Sequence, residues 1–233
     1  GFVVNIGPVR TPLEQLTDFT DLTALRAQSE QFETRTLDAE TDQAMRELID
    51  QTKRDRNTVG GTVEVIATGV PAGLGSYVAA NTKLDSRIAQ AIVSINAFKG
   101  VEFGGGFANA EAFGSEVMDE IGWQADRGFY RTSNHLGGFE GGMTTGEPIV
   151  VKGVVKPIPT LYRPMESVNI ATHETDRASI ERSDTTAVPT AAVIAEAMVA
   201  ITLAQAMLDK FDADQLVRFK AQVDQYRTEL KEF

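Results

Sequence analysis

The stretch from Thr190 to Lys210 constrains the fold more than any other. It reads as one long Ala-rich helix with apolar residues on most of its faces. A helix that is apolar nearly all round belongs in an interior, between layers. The remaining chain must therefore supply the layers that cover it, and 233 residues are enough for one core of that kind. A single domain over 1–233 is expected. Glu196, Thr202 and Gln205 interrupt the apolar run between Ala191 and Leu208, so no bilayer-spanning segment is expected. No basic-then-apolar leader opens the chain. Its first residues, Gly1-Phe2-Val3-Val4-Asn5-Ile6-Gly7, read like a strand in mid-protein without an initiator Met. The expectation is a piece of a longer polypeptide.

Around the central helix, strands and helices mix without strict alternation, which predicts an α+β fold. Val3 to Ile6 is a strand ended by Gly7-Pro8, and residues 10 to 37 are loop with short helix. Asp38 to Arg56 is an amphipathic helix with Ala44, Met45 and Ile49 on one face. Thr62 to Val70 alternates, with Val63, Val65 and Ala67 pointing one way and Thr62, Glu64 and Ile66 the other. That pattern predicts a half-buried strand in an antiparallel sheet. Asp85 to Phe98 is a helix carrying Ile88, Ala91, Ile92 and Ile95 on one stripe, and Val101 to Phe103 a short strand. Twelve of the chain's 20 glycines fall between Gly100 and Gly146, so this region is expected to be mostly loop. A short helix from Ser115 to Ile121, with Ser115 as N-cap, interrupts it. Pro148 to Val155 is a second β-rich run. Asp212 to Lys231 is a last amphipathic helix with Leu216, Phe219, Val223, Tyr226 and Leu230 on one face.

Charge and residue types exclude several classes of function. Lys and Arg number 22 against 33 Asp and Glu, a net charge of −11. A general nucleic-acid binder needs a basic face, so no nucleic-acid partner is expected. Without cysteine, disulfides, Cys-ligated zinc and thiol chemistry are excluded. His135 and His173 are not spaced as a metal pair and have no evident carboxylate cluster, so no metal site is expected and both are read as non-catalytic.

Four segments have the residue types for ligand chemistry, and each also has a plain structural reading. In Ser94-Ile95-Asn96-Ala97-Phe98-Lys99-Gly100, Lys99 reads equally as a last-turn cation and Gly100 as a C-cap. The run Gly137-Gly138-Phe139-Glu140-Gly141-Gly142-Met143 lets a ligand approach the backbone or makes a tight turn; it is neither a Walker loop nor a Rossmann fingerprint. In Lys156-Pro157-Ile158-Pro159-Thr160 the alternate prolines fix φ and hold the backbone extended. Lys152, Lys156 and Arg163 face only Glu147 between residues 143 and 165, the local excess an anion site needs, although an edge strand with solvated lysines reads the same way. Arg182-Ser183-Asp184-Thr185-Thr186 leads through Ala187-Val188-Pro189 into the long helix. Arg182 and Asp184 there form a partly desolvated site, or a surface ion pair beside a helix cap at Asp184 or Thr186.

Taken together and in this order, the four segments resemble chorismate synthase. The likeness extends to Val101-Glu102-Phe103-Gly104 and to Val193-Ile194-Ala195-Glu196-Ala197-Met198-Val199-Ala200, and it is strongest from about Gly60 to Leu208. It implies a helical layer sandwiched between antiparallel β-sheets, and a usually homotetrameric, cytoplasmic enzyme of the shikimate pathway and aromatic amino-acid biosynthesis. The implied reaction is the 1,4-anti elimination of phosphate from 5-enolpyruvylshikimate 3-phosphate to chorismate, using reduced FMN, with NADPH as a reductant in some members and no membrane partner. The resemblance implies FMN contacts at Asn96, Ala97, Gly141, Lys156, Pro157, Ile158, Pro159, Thr160 and Arg182, with Arg182 also meeting substrate and Asp184 as the catalytic residue beside the flavin. Ser183 stands where some members have His, as in one subgroup of the family. The family's N-terminal Ser-His-Gly motif, second functional histidine and substrate arginines are not present. The chain thus resembles the C-terminal portion, expected to be inactive alone. The alternative is a non-catalytic FMN- or phosphate-binding fragment, or an oligomerisation module.

Overall fold

The computed structural model describes residues 1–13 and 21–232. The expectation for 10–37 therefore lies partly outside the described residues. The elements run β1 (Phe2–Ile6), β2 (Val9–Arg10), α1 (Leu22–Glu30), α2 (Ala39–Arg54), β3 (Gly61–Ala67), α3 (Leu84–Ser94), β4 (Phe98–Phe103), a 3-10 helix (Gly106–Glu111) and α4 (Gly114–Val117). They continue with β5 (Ile121–Gln124), β6 (Gly128–Arg131), β7 (Phe139–Glu140), β8 (Met143–Thr144), β9 (Ile149–Val155), β10 (Glu166–Val168), β11 (Thr175–Arg177), α5 (Val188–Lys210) and α6 (Leu216–Glu232). Helices and antiparallel sheets together make the α+β fold. The largest sheet orders its strands β2-β1-β3-β9-β4, and β5-β6, β7-β8 and β10-β11 are two-stranded antiparallel ribbons. By contacts the chain forms two compact units, one of residues 1–63, 96–99 and 154–193, the other of 64–95, 100–153 and 194–233.

In the first unit, β1 is buried along its whole length, and it is apolar but for Asn5 rather than alternating. It turns into β2 through Gly7, whose φ of 52° suits glycine. Buried hydroxyls finish the packing: Thr11 Oγ1 donates to Val3 O (2.8 Å) and lies 2.7 Å from Thr36 Oγ1. Helix α2 starts where Asp38 accepts a hydrogen bond from Thr41 N–H (2.7 Å), with Glu40 and Asp42 in its first turn and Lys53 and Arg54 in its last. Asp42, on the buried side, accepts from the Thr34 N–H and hydroxyl and from Arg46.

In the second unit, α3 buries Leu84, Ile88 and Ile92. It ends at Ser94, four residues before the expected Phe98, and β4 starts at Phe98. Lys99 and Gly100 are therefore strand residues, not a last turn and cap. The chain leaves the helix because Ile95 is already extended and Ala97 turns left-handed at φ 74°. The glycine-dense region is not mostly loop either: it holds β5 to β8. Its glycines work at close approaches, as at Gly104 and Gly137, where a Cβ on either would strike the backbone of the other. Ser115 is not an N-cap but lies inside α4, whose N-cap is Phe113, its N–H accepted by Glu116 (2.8 Å).

Two carboxylates in this unit are deeply buried. Glu64 belongs to the face of β3 expected to be exposed, yet it is 5% exposed. Burial pushes its carboxyl up against the pull of Lys152, 3.8 Å away. Asp119 is also 5% exposed and gathers the loop after β6: Ser133 Oγ (2.7 Å), His135 N–H (2.7 Å) and Leu136 N–H (3.1 Å) all donate to it. Burial pushes this carboxyl up, but those hydrogen bonds and His135 outweigh it and hold it below its ordinary value. His135 Nδ1 lies 3.2 Å from Asp119, so this histidine does have a carboxylate partner. Its role is to help hold the loop. A depressed carboxyl contributes stability that is complete above its unfolded pKa and is lost as pH falls through the folded value. Asp119→Asn should cost about 2 kcal/mol at pH 7, because a side-chain amide sets a donor against a donor. The difference from the parent, measured by urea denaturation, should shrink as the pH falls below the ordinary carboxylate range.

Helix α5 is long and apolar enough to cross a membrane, with a mean hydropathy of 1.9 over its best window, so the expectation that no run reaches that length is corrected. It is not buried all round as predicted. Ala192, Ala195, Val199 and Ala206 are buried, while Val193, Ile194, Ile201 and Leu208 are 42–59% exposed. Helix α6 follows, with edge-on contacts of Phe211 to Phe219 and Tyr226.

Candidate functional site

Three of the four segments meet in the first unit, and their backbone hydrogen bonds show how. Strand β9 delivers Lys156, whose N–H donates to Ala97 O (2.9 Å). Ala97 can present that carbonyl because of its left-handed turn. Pro157 and Pro159 then remove two N–H groups and fix φ, so the run that follows cannot join a regular ladder. Its carbonyls are used instead: Ile158 O accepts the Thr58 hydroxyl (2.7 Å), and Thr160 O accepts the Ser183 hydroxyl (2.8 Å). Val59 N–H closes the set on Thr185 O (2.9 Å). Asn96 and Ala97, the run Lys156–Thr160, and Arg182 to Asp184 are thus tied together, although up to 86 residues separate Asn96 from Arg182 in the chain. Gly141 belongs to the second unit, at the turn between β7 and β8. Its φ is 58°, and a Cβ there would meet only Tyr77 Cβ, at 4.0 Å, so its surface is open.

Arg182 lines a hollow of about 620 Å³ with Lys53, Arg56, Tyr162, Ile180, Ser183, Asp184 and Thr185. Arg182 and Asp184 are exposed, which leaves aside the reading of a partly desolvated site. They form no ion pair among the described residues, and Thr186 rather than Asp184 caps the helix, accepting from Val188 N–H (3.3 Å). Three cations face one carboxylate around the hollow. Lys53 and Arg56 were not singled out from sequence. The only signal was that the helix predicted to end at Arg56 closes on basic residues without a glycine. Lys152, counted toward the local cationic excess, does not add to it. It lies between Glu64 and Glu102, at 3.8 and 3.7 Å, and its charge is spent there.

The donor set suits an anionic cofactor such as FMN. The Asn96 side-chain amide makes no hydrogen bond among the described residues, and Lys156 Nζ reaches only Pro157 O (3.2 Å). Neither Asn96 nor Lys156 lines the hollow that holds Arg182; an amide and two cations are the group types that a phosphate and an electron-rich ring require. Among the described residues no group of three His, Asp or Glu side chains is placed to hold a metal.

Comparison with known proteins gives the family. The family model described as chorismate synthase matches residues 1–208. A curated chorismate synthase of Leuconostoc mesenteroides is 69% identical over 233 residues, 100% of this chain and 59% of its own length. Those of Enterococcus faecalis and Listeria welshimeri are 55% and 53% identical with the same coverage. The chain thus spans about three-fifths of the length of these relatives. A crystal structure of chorismate synthase superposes with a TM-score of 0.83 at 40% identity, covering 100% of this chain and 63% of that one.

Proposed function

The chain belongs to the chorismate synthase family, and from that premise we propose that it forms the flavin-holding, C-terminal part of an enzyme that eliminates phosphate from 5-enolpyruvylshikimate 3-phosphate to give chorismate. The observation that carries this reading is the tying of Ala97, Lys156–Thr160 and Ser183–Thr185 into one cluster in the first unit. In the reaction a ring C–H bond loses its proton, a C–O bond breaks with its electron pair leaving on phosphate, and a new double bond forms in the ring. Reduced FMN supplies electron density to the ring when bound.

The chain's own residues bind, neutralise and orient. The Arg182 guanidinium and Lys156 Nζ offset the negative charge of cofactor and substrate, which between them bring two phosphates and two carboxylates. The Asn96 amide and the Thr160 hydroxyl orient the flavin, and a flavin contact at Gly141 rests on the family likeness. An Asp184 carboxylate oxygen either receives the substrate's proton or holds the flavin N5 region in place. NADPH as reductant, a homotetrameric assembly and a cytoplasmic setting rest on the family likeness. The exposed Ile121, Trp123 and Phe129 of the β5-β6 ribbon are consistent with an assembly. The 233 residues alone are proposed to bind flavin without turnover.

Titrating FMN into the purified chain while following flavin fluorescence tests the reading. Saturable binding is expected, weakened roughly 10- to 100-fold by Arg182→Ala, the size expected for a lost charge-assisted hydrogen bond. Absence of binding, or affinity indifferent to Arg182, would remove the flavin site.

A further inference from the structure

Two cations in the hollow beside Arg182 have no role in the reading above. Lys53 is in the last turn of α2, and Arg56 lies two residues beyond its end. We propose, resting on the flavin-and-phosphate reading, that Lys53 and Arg56 join Arg182 in an anion subsite that takes a phosphate monoester dianion.

The plain account of basic residues at a helix C-terminus is that they offset the dipole and the unpaired carbonyls. The carbonyls of Gln51, Thr52 and Lys53 are already taken. Asp55 N–H donates to Gln51 O (2.9 Å), Arg56 N–H to Lys53 O (3.0 Å) and Asn57 N–H to Thr52 O (3.0 Å). This is the Schellman arrangement, and it puts Arg56 at the position after the cap with φ 56°. Glycine is preferred there, and an L-residue with a long side chain is strained. An arginine at a place that favours glycine therefore needs a use for its side chain. Its backbone is also pinned, since Arg56 O accepts Arg163 N–H (3.1 Å), next to Tyr162 of the same hollow. The neighbouring Arg54 is held by Gln51 (2.8 Å) and does not line the hollow.

Charge selects the ligand. Lys53, Arg56 and Arg182 carry three positive charges, and none of them forms an ion pair among the described residues. Asp184 is the carboxylate in the hollow, and it leaves two charges uncompensated. The Tyr162 and Thr185 hydroxyls have no side-chain hydrogen bond among the described residues and add two donors. Two free charges with fork-shaped guanidinium donors suit a dianionic phosphate better than a single carboxylate. A volume of about 620 Å³ also lies within the range of small-molecule sites.

Arg56→Gly separates binding from folding, because glycine is the favoured residue at that backbone position. Inorganic phosphate is titrated by calorimetry into the 233-residue chain, its Arg56→Gly and Lys53→Gln variants, and FMN and riboflavin into the same three. Phosphate binding should weaken about tenfold in Arg56→Gly and less in Lys53→Gln, with the melting temperature of Arg56→Gly at or above the parent's. If the dianion is the flavin's own phosphate, FMN affinity falls in Arg56→Gly while riboflavin affinity does not. If it is a free or substrate phosphate, FMN affinity stays while phosphate affinity falls. Phosphate binding that depends on Arg56 in a chain that binds no FMN would keep the subsite and remove the flavin reading. Normal FMN binding with phosphate and FMN affinities unchanged in both variants would remove the subsite and keep the flavin reading.

Discussion

Replacing Gly60 by alanine should destabilise the chain by about 3 kcal/mol or more and abolish flavin binding with it. A Cβ at Gly60 would strike Val155 O and come within 2.9 Å of Pro157 N and 3.0 Å of Lys156 C. All three are backbone atoms of the segment that carries the proposed site, so no side chain can rotate away. Pro157 cannot yield by turning about φ. Gly60 cannot withdraw either, because its carbonyl accepts Gly7 N–H (2.8 Å), and the next residue, Gly61, packs on the backbone of Asn5 and Ile6. Relief would require parting the segment before β3 from the end of β9. Gly114→Ala is the control, since nothing lies within 4 Å of a Cβ there and the residue opens α4. It should be neutral or slightly stabilising. Urea denaturation of both variants checks the pair. A Gly60→Ala chain as stable as Gly114→Ala would mean that β9 and the segment before β3 are not packed as described.

The second large effect is on turnover. Asp184→Asn in the intact polypeptide should slow chorismate formation by about a hundredfold or more, the usual weight of a positioned proton acceptor. FMN affinity should change by only about threefold, since Asn keeps the shape and loses the charge. Stopped-flow measurement of product, with flavin bound to saturation, separates the two quantities. Equal loss of binding and rate would make Asp184 a cofactor ligand only, and unchanged activity would remove it from the chemistry. Asp184 lines the hollow together with Lys53, Arg56 and Arg182.

Helices and long strands were legible because each repeats one period over many residues. Asp38 announces α2, and the apolar stripe of Ile88 and Ile92 announces α3. What the sequence hid was mostly tertiary. Glu64 follows the alternation of an exposed face, yet its cationic partner Lys152 is 88 residues away in the chain, so its burial has no local signature. Helix α3 ends at Ser94 with Ile95 already extended, and the left-handed turn that follows falls on Ala97, which does not signal that conformation as glycine would. The short ribbons between Gly114 and Thr144 were concealed by glycine, which reads as loop whether it loosens a chain or lets two backbones touch. Among the site residues, the four segments stood out by composition and by their likeness to a family. Lys53 and Arg56 did not, because a basic helix end is the ordinary complement to the dipole. Only the folded chain shows that the Thr52 and Lys53 carbonyls are already taken there.

Amide hydrogen exchange of the chain, with and without saturating FMN, is the most direct test of whether distant segments build one site. Slowed exchange should appear together in peptides covering 95–99, 155–160 and 182–186, while the exposed β10-β11 ribbon between the last two stays unchanged. Protection confined to one of those three peptides, or none at any of them while FMN remains bound, would contradict the account.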